Sequence, residues 1–99
     1  MKYEEKENIL ETDYVVFLNY MKSIFPVFHK SNVFFRDIQY GIKHFFEQKN
    51  IKTTYTEIDK LGDSIINLLE QKGIFEKLEP NIWKLNYPEF ECKQPGDPL

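Results

Sequence analysis

The chain has 99 residues, 41% of them hydrophobic and 16% aromatic, with nine Phe, six Tyr and a formal net charge of −3. That length allows one modest core and no separate catalytic domain, and the negative balance gives no whole-chain electrostatic footprint for nucleic acid. The single Cys92 excludes an intramolecular disulfide framework and, with two distant histidines, leaves no zinc-ligand spacing, so a reducing, cytoplasmic setting without metal or cofactor is expected.

Residues 1–12, MKYEEKENILET, are charged and are expected to be frayed or a short helical lead-in. They lack the basic-then-apolar pattern of a signal peptide, and no apolar run in the chain approaches the roughly 18 to 20 residues of a membrane span. From Asp13 to about His29, Tyr14, Phe17, Leu18, Met21, Phe25 and Phe28 form one helical stripe, with Thr12 or Asp13 available as its cap. A second row, Val16, Tyr20, Ile24 and Val27, lies roughly 120° round the same helix. So wide an apolar arc implies two neighbours, the domain's own core and a second chain or other protein, although wrapping by its own neighbours would explain it equally well. Pro26 is expected to kink or end this helix near its last turn.

Lys30-Ser31-Asn32 is a polar break, and Val33-Phe34-Phe35 reads as a short strand. The next helix, about Arg36 to Lys49, turns Ile38, Ile42, Phe45 and Phe46 inward and carries most of a basic middle segment. From Lys22 to Lys52 six cations face two acids, a net +4, whereas residues 1–13 sum to −3 and residues 53–99 to −4. Any anionic partner would bind this middle. Asn50 ends the helix, IKTTYT leads onward, and Thr54 with Glu57 has the spacing of a capping box.

The run from Thr56 to Tyr87 is the most informative. Ile58, Leu61, Ile65, Leu68 and Leu69 recur at spacings of three and four on a core-facing stripe. The helix should stop at Gly73, and the β-favouring runs IFEKL and IWKLNY follow, joined through Glu79-Pro80-Asn81. The expected fold class is therefore mainly α with a small β-hairpin, an α+β winged helix over 13–87 in the order helix, short strand, helix, helix, two-stranded wing. Residues 88–99, with four of their first eleven positions Pro or Gly, are expected to be a flexible tail in which Cys92 is an incidental thiol.

A winged helix that reads DNA presents its last helix to the major groove. Here Asp59, Asp63 and Glu70 lie within about 40° of one another on the outer face, with Asn67, Lys60 and Gln71 alongside. Such a ridge repels phosphate, and no Arg lies between Thr56 and Tyr87 to make a bidentate guanine contact. A plain solvated face accounts for these charges as well, and either reading weakens direct DNA readout. Trp83, Phe75 and Tyr87 could stack on bases, but strand alternation favours packing of Trp83, Leu85 and Tyr87 against helices.

Catalytic patterns are missing. Gly41, Gly62, Gly73 and Gly96 are isolated, so no phosphate-cradling loop is formed, and His29 and His44 have no partner at a defining spacing. No enzyme is expected.

FPVFHKSNVFFRDIQYGI followed by LGDSIINLLEQKGIFEKLEPNIWKLNYP resembles the HARE-type winged helix of the delta subunit of Gram-positive bacterial RNA polymerase, over about residues 13–88. The pieces that carry the resemblance are Leu61-Gly62-Asp63 and the Trp83-Lys84-Leu85 strand with Pro88 soon after. It implies association with transcription machinery. The expected function is thus a non-enzymatic protein-interaction module, an accessory or regulator of transcription or another nucleic-acid machine, with RNA polymerase as one candidate partner. Its interface would comprise Val16, Tyr20, Ile24 and Val27, a row that could also pair two copies as a homodimer, and the ridge Asp59, Asp63 and Glu70. Two alternatives stand beside it. One is a DNA-binding regulator using Arg36, Lys43, Lys49 and Lys52 with the wing lysines Lys77 and Lys84; the other is a structural subunit of an assembly.

Overall fold

Capping chemistry fixes the start of the longest helix. Thr54 Oγ1 accepts the Glu57 backbone N–H at 3.1 Å while Glu57 Oε1 accepts the Thr54 N–H at 3.0 Å, the reciprocal box that the spacing predicts. In the computed structural model, which describes residues 1–90, this is α4, Tyr55–Gln71. It is preceded by α1 (Tyr3–Thr12), α2 (Tyr14–Ile24), β1 (Asn32–Phe34) and α3 (Phe35–Gln48), and followed by β2 (Phe75–Glu79), β3 (Ile82–Leu85) and a 3-10 turn, Pro88–Phe90. The chain is mainly helical with a three-stranded antiparallel sheet, an α+β arrangement. Of the expected tail, residues 91–99 with Cys92 lie outside the described residues.

The sheet order is β1-β3-β2. Gly73, at φ +74°, takes the left-handed conformation that ends α4 and turns the chain into β2. The central strand β3 aligns Trp83 with both Val33 and Lys77, so the short strand after the polar break does pair with the hairpin. Ile58, Leu61, Ile65 and Leu69 from α4, and Ile38, Ile42, Phe45 and Phe46 from α3, are buried in one core with Phe17, Leu18, Met21, Val33, Trp83 and Leu85. Two glycines set the helix spacing. A Cβ on Gly41 would come within 2.1 Å of Met21 Sδ, where α2 crosses α3, and one on Gly62 within 3.2 Å of the Phe35 ring.

The first third departs from expectation. Of the two alternatives for residues 1–12 the helical one holds, and the helix is more than a lead-in: α1 packs along α4, Leu10 is fully buried, and Lys6 keeps only 5% exposure. Lys6 Nζ is compensated there by Glu57 Oε1 at 2.8 Å and by the Lys52 carbonyl at 2.7 Å. Glu7 adds a second tie, accepting from Ser64 Oγ at 2.5 Å. The helix expected from Asp13 to about His29 is shorter, because the residue before Pro26 is driven to extended backbone and Phe25 sits at φ −130°, ψ 152°. Asp13 occupies the cap position of α2, but its side chain makes no capping bond. At the other end Phe90 is buried, His29 N–H donates to the Phe90 carbonyl at 2.9 Å, and Tyr87 N–H donates to His29 Nδ1 at 3.0 Å.

Candidate functional site

The acidic ridge forms one wall of a cleft. Because α4 buries Ile58, Leu61, Ile65 and Leu69, the helical period turns Asp59, Asp63 and Asn67 outward, and the hairpin then folds back beside them. The resulting cleft, about 530 Å³, is walled by Asp59, Asp63, Asn67 and Glu70 on α4 and by Lys77, Pro80, Asn81 and Trp83 on the hairpin, with Phe35 and Ile66 beneath. Three carboxylates share it with a single lysine.

Each carboxylate has its own setting. Glu70 is half-buried and accepts the Trp83 indole N–H at 3.1 Å, which ties helix to hairpin. It is therefore partly committed to holding the cleft together, a correction to its expected place on a freely exposed ridge. Asp59 accepts from Gln39 Nε2 at 2.5 Å, and Asp63 is exposed at the centre. Trp83 is buried between Phe75 at 6.3 Å and Phe35 at 6.5 Å, ring centre to ring centre, so it packs as strand alternation predicts and offers no free face to a base.

The basic residues do not gather into one patch. Arg36 and Lys43 stand on the outer face of α3, with Arg36 over the Phe34 ring at 6.0 Å. Lys49 lies 4.9 Å from the centre of the Phe45 ring, Lys52 is exposed before α4, and Lys84 pairs with Glu76 at 3.7 Å. Lys77 sits apart from these, inside the acidic cleft.

The second row expected on the first helix is also divided. Val16 and Ile24 are exposed, whereas Tyr20 is half-buried with its ring 5.9 Å from that of Phe45. Val27 is corrected outright: it lies beyond the helix, in extended chain after Pro26, and at 8% exposure belongs to the core. Of the expected row only Val16 and Ile24 remain exposed on α2, beside Val15, which lies outside that row.

Phe35, Ile66, Pro80 and Asn81 are the cleft residues that sequence reasoning did not single out. Ile66 could have been found, because it follows Ile65 on the flank of the buried stripe; the hairpin residues could not, since their approach depends on how β2 and β3 fold against α4. No helix of the described residues is long and apolar enough to cross a membrane, and among them no group of three or more His, Cys, Asp or Glu is placed to hold a metal ion. No family model, no curated protein and no solved structure matches this chain significantly.

Proposed function

We propose that the chain is a winged-helix protein-docking module, non-enzymatic, and an accessory of transcription or another nucleic-acid machine. In this reading α4 is the last helix of the winged helix, the β2–β3 hairpin is its wing, and α1 is an added brace. The order of elements and the resemblance to the HARE-type module support it. One observation carries it: the hollow between α4 and the hairpin, which a DNA-reading winged helix turns toward the duplex, is walled by Asp59, Asp63 and Glu70 against Lys77 alone.

Three carboxylates facing phosphate would repel it, and they suit instead a partner protein that inserts a Lys- or Arg-bearing segment. The apolar floor of Phe35 and Ile66 would then take the aliphatic stem of such a side chain, with Asp63 at the charged end. Fluorescence anisotropy with mixed-sequence duplex DNA at low and near-physiological salt tests this directly. No duplex binding at physiological salt is expected, and Asp59→Lys with Asp63→Lys should raise low-salt binding by at least tenfold. Tight, salt-resistant duplex binding by the unaltered chain would overturn it.

A further inference from the structure

Next to the acidic cleft, the molecule presents a second surface in which aromatic rings alternate with cations. On the outer face of α3, Arg36 and Lys43 lie seven residues apart, about two turns, so both project to one side with Tyr40 between them. Tyr40 is 53% exposed, and its ring is braced from behind by His44 at 4.1 Å and Phe25 at 5.6 Å between ring centres. Beyond Lys43 the chain turns into α4, whose first residue, Tyr55, is 83% exposed. At the other end stands Phe34, also exposed, beside Arg36.

These residues line a run of shallow hollows that share walls. The first, about 400 Å³, is formed by Phe34, Phe35, Arg36, Gln39 and Asn81. Gln39 is also a wall of the next, about 220 Å³, which Tyr40, Lys43, Tyr55 and Ile58 complete with Asp59. Lys43, Tyr55 and Ile58 continue into a third, about 400 Å³, with Thr53 and Thr54. The track therefore alternates ring, cation, ring, cation, ring.

The nearby acids Asp37, Asp59 and Glu47 keep their charge, but each has a partner of its own. Asp37 accepts the Phe34 N–H at 3.2 Å, Asp59 is held by Gln39, and Glu47 lies 3.0 Å from His44 Nδ1. Arg36 and Lys43 make no ion pair among the described residues. Large exposed rings on a domain that otherwise buries Phe17, Phe45, Phe46, Phe75 and Trp83 need another explanation than packing.

We infer that the outer face of α3 and the start of α4 form a binding track for single-stranded nucleic acid. Arg36 and Lys43 contact phosphates while Phe34, Tyr40 and Tyr55 offer faces to unpaired bases. Flat rings interleaved with cations fit a polymer that presents a flat base and a phosphate in alternation, and paired bases in a duplex cannot reach the rings. The track borders the acidic cleft, with Phe35, Asn81 and Asp59 as shared walls, so Asp59 marks the limit of the phosphate path.

The test is anisotropy of a fluorescein-labelled oligothymidine of about fifteen nucleotides, compared with a duplex of the same length and with polyglutamate as competitor. Single-strand binding at low salt is expected, weakening as salt rises and at least tenfold tighter than duplex binding. Tyr55→Ala and Tyr40→Ala should each weaken it roughly five- to a hundred-fold, whereas Tyr55→Phe should retain it. Both rings are exposed, and a circular dichroism melt of each variant ensures that a loss of binding is not a loss of fold. No single-strand binding at low salt, equal affinity for duplex, unchanged affinity in Tyr55→Ala and Tyr40→Ala, or competition by polyglutamate at equal charge concentration would each overturn the proposal. The last would point to an acidic protein segment instead.

Discussion

Trp83 and Glu70 meet across the acidic cleft, the indole N–H donating to Oε2 at 3.1 Å, and this bond ties α4 to the hairpin. Glu70→Ala leaves a buried indole N–H without its acceptor and should cost about 1 to 3 kcal/mol in urea denaturation. Glu70→Gln keeps an acceptor oxygen and should recover most of that. Trp83 is the only tryptophan in the chain, so its emission reports the change, shifting to the red in Glu70→Ala and little in Glu70→Gln.

The ion pair of Lys6 with Glu57 ties folding to pH. The Lys6 ammonium, followed by the Thr54 backbone N–H, holds the Glu57 carboxyl below its ordinary value of 4.5. A depressed folded-state pKa contributes stability that is fully present above the ordinary value and is lost as pH falls through the lower folded one. Melting temperature should therefore drop more steeply below pH 4.5 in the unaltered chain than in Glu57→Gln. At neutral pH that variant should lose about 1 to 3 kcal/mol, less than a fully buried pair would, because the Glu57 side chain keeps 23% exposure.

Packing at the crossing of α2 and α3 leaves no room for a methyl group on Gly41. Gly41→Ala would gain about 1 kcal/mol of helix propensity, yet it should be destabilising by about 1 to 3 kcal/mol net because buried Met21 must move. Adding Met21→Ala should remove the clash, and a double-mutant cycle by chemical denaturation should show the two sites coupled. Simple additivity would mean that the crossing relaxes elsewhere.

His29 fastens the segment after β3 through its backbone N–H and its Nδ1. His29→Ala keeps the first bond and loses the second, so the Tyr87 amide should exchange with solvent faster while amides of α3 and α4 are unaffected. Uniform acceleration across the chain would instead indicate global destabilisation.

The parts legible in the sequence are those where local pattern and tertiary demand agree. In α3 and α4 a strong 3.6-residue rhythm, the Thr54 and Glu57 box and the left-handed Gly73 all state the same answer. In α1 they do not: the residues it buries are Leu10 and a lysine, with Tyr3 and Ile9 only partly covered, and Lys6 looks like a surface residue until Glu57, far along the chain, is brought beside it. Extending the helical period past Pro26 places Val27 in a helical row, but the backbone has already changed there. The acidic face could be drawn on a helical wheel, but a wheel has no hairpin on it, so neither the cleft nor the bond from Trp83 to Glu70 could be seen there. The aromatic track on α3 was hidden for a similar reason, since Tyr40 and Tyr55 become neighbours only when α3 packs against α4.

The placement of β3 between β1 and β2 has a consequence for how the protein is made. Val33 pairs with Trp83, so β1 emerges from the ribosome about 50 residues before its partner, a wait of roughly 3 to 10 s at usual elongation rates. By the end of that interval all four helices can form and collect, but the edge that β1 presents stays open. Completion of the sheet thus waits until β3 has emerged, and a nascent chain stalled at the end of α4 would be the species most in need of a chaperone.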